Sequence, residues 1–149
     1  MQTLFDASGR QSVVERLERL TPSSSGQWGK MEVAQMLAHC AAALEVATGD
    51  TPRKQALIGK IFGPFVKSSL LGEKPFSKNS PTDPTFIVTE KKDFATEKVR
   101  LTDLIDRFAE RGPEKAAAQV HSFLGKLRGD HWGVMMYKHL DHHLRQFGA

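Results

Sequence analysis

The chain has 149 residues and one cysteine, Cys40, so it can bury roughly two-thirds of its unfolded surface as a single domain over 1–149, and an internal disulfide framework is excluded. The N-terminal "MQTLFDASGRQSVVERL" has no basic stretch leading into an apolar run, and no segment approaches about 18 consecutive apolar residues; secretion and membrane spanning are not expected, and a cytoplasmic location is the default. The net charge is +4, but Lys and Arg are scattered among Asp and Glu without interleaved aromatics, which describes a solvated surface rather than a nucleic-acid face.

In chain order, "QSVVERLERL" places Val13, Val14, Leu17 and Leu20 at helical spacing, and "TPSSSGQWG" stops the pattern, which predicts a short first helix over 11–20. Strong helix formers run from Lys30 to about Thr48 and end at Gly49, a residue suited to a left-handed cap; this is the second helix. "PRKQALIGKIFGPFVKSSLLG" has helix-like apolar spacing, with Gly63-Pro64 expected to break it into two short pieces. "EKPFSKNSPTDPTFIVTEKK" holds three prolines and reads as a long loop with "FIVT" extended, in a position to cover a site. Asp93 is the expected N-cap of a third long helix whose stripe is Leu101, Leu104, Ile105 and Phe108, ending at Gly112-Pro113. Asp130 is the expected cap of the fourth, "HWGVMMYKHLDHHLRQF". The fold class is therefore all-α, a four-helix bundle with a long loop-rich crossover between the second and third long helices.

Three of the chain's six histidines, His139, His142 and His143, fall within five residues of that last helix. Trp132, Met136, His139, Leu140, His143 and Phe147 share one side of it. His139 and His143 are four residues apart, which lets two imidazoles converge on one ion. Leu140 stands where an HExxH protease would place its glutamate, so that chemistry is not indicated. His39 on the second helix shares a face with Glu32, Gln35, Met36, Ala42, Ala43 and Val46, and its small neighbours leave room beside it. "WGKMEVAQMLAH" and "WGVMMYKHLDHH" both carry a histidine eleven residues after a tryptophan, Trp28 to His39 and Trp132 to His143, a spacing of about three turns.

"MEVAQMLAHC", "FLGKL" and "YKHLDHHLRQFG" resemble the DinB-like superfamily of four-helix proteins, in its branch of unknown function, over nearly the whole chain. The resemblance implies a divalent metal such as zinc or nickel held by one histidine of the second helix and an H-x-x-x-H pair of the last, here His39, His139 and His143. It also implies a homodimer in many members, and in some a transferase or isomerase chemistry that uses a low-molecular-weight thiol. No thiol-binding motif is present to carry over.

A lone histidine on an apolar face is more often a hydrogen-bonded core residue than a ligand, but two imidazoles buried together without a shared partner cost free energy, which favours a metal. His142 is expected at the surface or behind the ligands, and His121 and His131 in plain capping or surface roles near helix starts. Cys40 is expected to be a small buried apolar residue. Trp28 and Trp132 are expected as hydrophobic pegs at helix starts. Glu32 is the candidate base, against a bland role as an acid favoured by the helix dipole. Two functions follow: a metal-dependent enzyme in which three neutral imidazoles leave the ion open to water or a thiol, acting on a small-molecule electrophile by hydrolysis or S-transfer, and a non-catalytic metal- or ligand-binding domain.

Overall fold

The computed structural model describes residues 1–149. The chain is all-α apart from one small hairpin: α1 (Ala7–Arg19), α2 (Val33–Thr48), α3 (Leu57–Leu71), α4 (Phe94–Ala117) and α5 (Gly129–Gln146), with a 3-10 turn at Pro84–Phe86. The hairpin pairs β1 (Val120–His121) antiparallel to β2 (Gly125–Lys126) between α4 and α5. Helices α1, α2, α4 and α5 pack on one another, α2 most extensively on α4. Their inward stripes form one core that includes Val13 and Leu17, Leu37 and Leu44, Ile105 and Phe108, and Trp132 and Leu140. Each such side chain removed from water contributes roughly 1.5–3 kcal/mol.

Local chemistry sets several helix ends where the sequence places them. The Asp93 carboxylate accepts from the Thr96 amide at 2.8 Å, and Gly49 closes α2 at φ 84°, a left-handed conformation that costs a glycine nothing. Other ends move. Helix α1 starts at Ala7, four residues before the predicted start at Gln11. Helix α5 starts at Gly129 with Arg128 as N-cap residue, so Asp130 is a first-turn acid paired with Arg128 at 2.7 Å, not the cap.

One expectation about proline is corrected and one holds. Helix α3 runs unbroken through Pro64, because Gly63 and Gly59 let the helix lie directly on the Phe123 backbone, and this docking holds it together despite the one hydrogen bond the ring removes. At Gly112-Pro113 the long helical run stops as expected: Gly112 adopts φ 76°, ψ 174°, outside the helical region, and a short further helical piece follows to Ala117. In "FIVT", Phe86 closes the 3-10 turn and Ile87 follows it extended, at φ −72° and ψ 121°, without forming a strand. Trp28 lies in the coil before α2, so the eleven-residue spacing to His39 does not place the two on one helical face.

Candidate metal centre

Helix α2 brings His39, and helix α5 brings His139 and His143, to one point inside the packed helices. Their ligand-capable atoms all lie within 4.8 Å of one another. His39 and His143 are 4 % and 7 % exposed, and His139 is partly buried. The inward pointing follows from local sequence: His139 and His143 lie one turn apart on α5, and His39 follows Met36 and precedes Ala43 on the buried face of α2.

The hydrogen bonds of these rings assign their tautomers. His39 Nδ1–H donates to the Phe86 carbonyl oxygen at 2.8 Å, and His143 Nδ1–H donates to Gln146 Oε1 at 2.8 Å. Both leave Nε2 with a lone pair. His39 Nε2 stands 2.9 Å from His139 Nε2, and two nitrogens each about 2.0–2.1 Å from one ion stand roughly 3 Å apart. The rings meet at steep angles, 73° between His39 and His143 and 90° between His139 and His143, so they converge on a point rather than stack.

Electrostatics keep the three rings neutral. Burial lowers the pKa of His39 against the opposing effect of its bond to Phe86, and burial followed by the neighbouring His143 and His39 holds His139 well below the ordinary imidazole value. Burial first, and then His39, pushes His143 down to about 3. Metal ligation requires the neutral imidazole, and each of these histidines is in that form near neutral pH. The donor set, its tautomers and its separations therefore fit a divalent cation.

Around the triad, the segment between α3 and α4 acts as a cover. It supplies the Phe86 carbonyl and places Phe76 6.1 Å from the ring of His142. His142 is half-buried, its ring 5.0 Å from that of His143 and 5.7 Å from that of Trp28, over which the Lys78 ammonium sits at 4.6 Å. Burial lowers its pKa, opposed by the nearby Phe76 backbone. Trp132 is fully buried as expected, whereas Trp28 takes part in this rim. Cys40 is 1 % exposed, its pKa raised by burial and its thiol donating to Met36 Sδ at 3.8 Å, as a small core residue does. Glu32 is exposed at the N-terminus of α2, where its side chain and that of Gln35 form a reciprocal capping box.

Two partners were invisible in the sequence reading. Gln146 is 3 % exposed, holds His143 through Oε1 and donates Nε2–H to the Trp28 carbonyl at 2.7 Å; its signal was the spacing of three residues after His143. Phe86 contributes a backbone oxygen, for which no side-chain signal exists. Replacing Gln146 by Leu is expected to weaken zinc affinity about 10–100-fold, since an outer partner fixes the ligand's tautomer and orientation. Competition titration against a chelating dye measures this, and unchanged affinity would remove Gln146 from the site.

His121 departs from its expected surface role. It lies in the hairpin, where Nδ1 accepts from the amides of Phe123 and Leu124, both at 3.1 Å, and burial lowers its pKa to about 4 against the opposing charge of Asp83. An unfolded histidine titrates near 6.5. The stability that neutral His121 contributes is therefore present above pH 6.5 and is lost as pH falls toward 4, at up to about 1.4 kcal/mol per pH unit. Urea unfolding of the parent and of His121→Asn across this window should show a shallower fall in the variant.

A family model described as "Protein of unknown function (DUF1569)" matches residues 4–149. No curated protein and no solved structure matches the chain.

Proposed function

Because the chain belongs to the DUF1569 family, whose description assigns no activity, we propose a function from the site itself: His39, His139 and His143 hold a divalent metal, zinc or nickel, in an enzyme that directs water or a low-molecular-weight thiol at a small electrophile. The observation that carries this is the convergence of three neutral imidazoles with two Nδ1 protons already committed to Phe86 and Gln146. When bound, such an ion supplies a Lewis acid that makes water or a thiol more acidic and offsets negative charge developing on the electrophile. We also read α1, α2, α4 and α5 as the four-helix bundle of the DinB-like superfamily, supported by the packing of these helices on one another and by the match of the three histidines to that pattern.

The chain's own residues divide the remaining work. Phe86 and Gln146 fix the planes of two ligand rings, which keeps the donor set in place through turnover. His142 stands beside the triad, its ring 5.0 Å from that of His143, where its imidazole can take a proton. Glu32 is occupied in capping α2, and the proposal gives the proton-accepting role to His142 instead. Trp28 and Phe76 form an apolar rim, and the Lys78 ammonium above Trp28 favours an electrophile that carries or develops negative charge.

Elemental analysis of protein purified without a nickel column tests the metal directly, with about one equivalent expected. Metal-loaded protein is then assayed on an electrophilic test substrate with and without several thiols. Turnover that requires a thiol supports S-transfer, and turnover without one supports hydrolysis. A loaded site with no turnover under any of these conditions would overturn the enzyme reading and leave a binding domain.

A further inference from the structure

The charge of this protein is not evenly spread. Residues 51–92 carry eight Lys and Arg against three Asp and Glu, a net of +5, so the rest of a chain that totals +4 is slightly negative. Within that segment, the stretch from Thr51 to Gly72 contains Arg53, Lys54, Lys60 and Lys67 and no acid at all. This stretch contains α3. The helix is docked through one face only: a Cβ on Gly59 would run into the Phe123 carbonyl oxygen, one on Gly63 would stand 2.9 Å from it, and Val66 and Leu70 pack against the core.

On the opposite side, an arc about 140° wide at about 100° per residue carries Leu57, Ile61, Phe65, Ile58 and Phe62 in angular order. They are 74 %, 54 %, 80 %, 59 % and 53 % exposed. Single exposed apolar residues need no explanation, but five large ones sharing one helix face form a contiguous patch of the kind that marks an interaction surface.

We propose that α3 docks this protein on an anionic lipid bilayer, with the five apolar side chains entering the boundary between headgroups and acyl chains and Lys54, Lys60 and Lys67 held by the lipid phosphates. Two features select this occupant. The patch lies on the outer face of one helix whose opposite face is docked on the body, which suits shallow insertion into a lipid interface. The charge of Thr51–Gly72 is one-signed and complements an anionic leaflet, whereas a second copy paired through the same face would set +4 against +4. No helix is long and apolar enough to cross a membrane, so the attachment is to the surface. The inference is independent of any metal.

Flotation with vesicles of phosphatidylcholine alone, or of phosphatidylcholine with phosphatidylglycerol, tests it. The protein is expected to float with the anionic vesicles only and to be released by added salt. The double variant Ile61→Glu, Phe65→Glu should partition at least about tenfold less, since it removes two inserted side chains. Lys60→Gln with Lys67→Gln should lower partition about fivefold per charge removed. All four positions lie outside the core, and circular dichroism and metal content should match the parent. Failure of the parent to float with either vesicle overturns the proposal, as does equal, salt-insensitive binding to both. A dimer in analytical ultracentrifugation that the Ile61→Glu, Phe65→Glu variant dissociates, without vesicle binding, would assign the face to a second copy instead.

Discussion

The His143→Ala protein is expected to bind zinc far more weakly than the parent, whereas His142→Ala should bind it nearly as well. The two residues are sequence neighbours, yet the helix turns them about 100° apart, and only His143 Nε2 shares a point with the corresponding atoms of His39 and His139. Losing an outer hydrogen-bond partner of a ligand costs about 10–100-fold in metal affinity, so losing one of three ligands should exceed that. Competition titrations of both variants decide the matter. Equal losses would mean that His142 is a ligand and that the pair on α5 has been wrongly chosen. A folded His143→Ala protein with parental affinity would remove the triad as a metal site. The contrast also serves the proposed chemistry, because a His142→Ala protein that stays loaded but loses turnover would separate proton transfer from metal binding.

Trp132→Ala should cost about 3–5 kcal/mol of stability, the largest effect expected of any single core change here. Trp132 is 1 % exposed, lies on the same face of α5 as His139 and His143, and packs its ring 5.5 Å from that of His121. Removing it opens a cavity among helices that have little freedom to close it. Trp132→Phe should cost much less, about 1–2 kcal/mol, because indole Nε1 has no hydrogen-bond partner and the smaller ring gives up volume but no polar contact. Urea unfolding of the metal-free proteins measures both. Equal costs for the two variants would show that Nε1 makes a bond on which the fold depends. Because the residue sits about two turns from His139 on the same face, Trp132→Ala should also lower zinc affinity in the fraction that remains folded.

Much of this site could be read in one dimension, for a physical reason. The i,i+4 spacing of His139 and His143, the Asp93 cap and the left-handed Gly49 all depend on atoms within one or two helical turns, and short-range geometry is nearly the same in every helix. That His39 faces inward followed from the apolar stripe of α2, and the buried thiol of Cys40 from its place on that helix. The errors came where a distant partner decided the outcome. Pro64 reads as a helix breaker locally, but Gly59 and Gly63 lie against the backbone of Phe123, some sixty residues on, and that contact keeps α3 whole. Asp130 looks like a cap, but Gly129 packs against Pro113 and the helix begins two residues earlier than that cap would set it. His121 is a local miss instead: it looks like a capping or surface residue near a helix start, but two amides of its own hairpin, two and three residues on, claim its Nδ1.

The sequence by itself determined that this chain is helical, where most of its helices run, and which three histidines have the spacing and facing to meet. Only the tertiary structure decided that they do meet, since His39 and His139 are separated by 100 residues and their 2.9 Å approach requires α2 and α5 to be packed together. It also decided what holds the rings: the Phe86 oxygen lies 47 residues from His39 and belongs to the backbone, whose chemistry is the same at every position and so leaves no trace in the residue code.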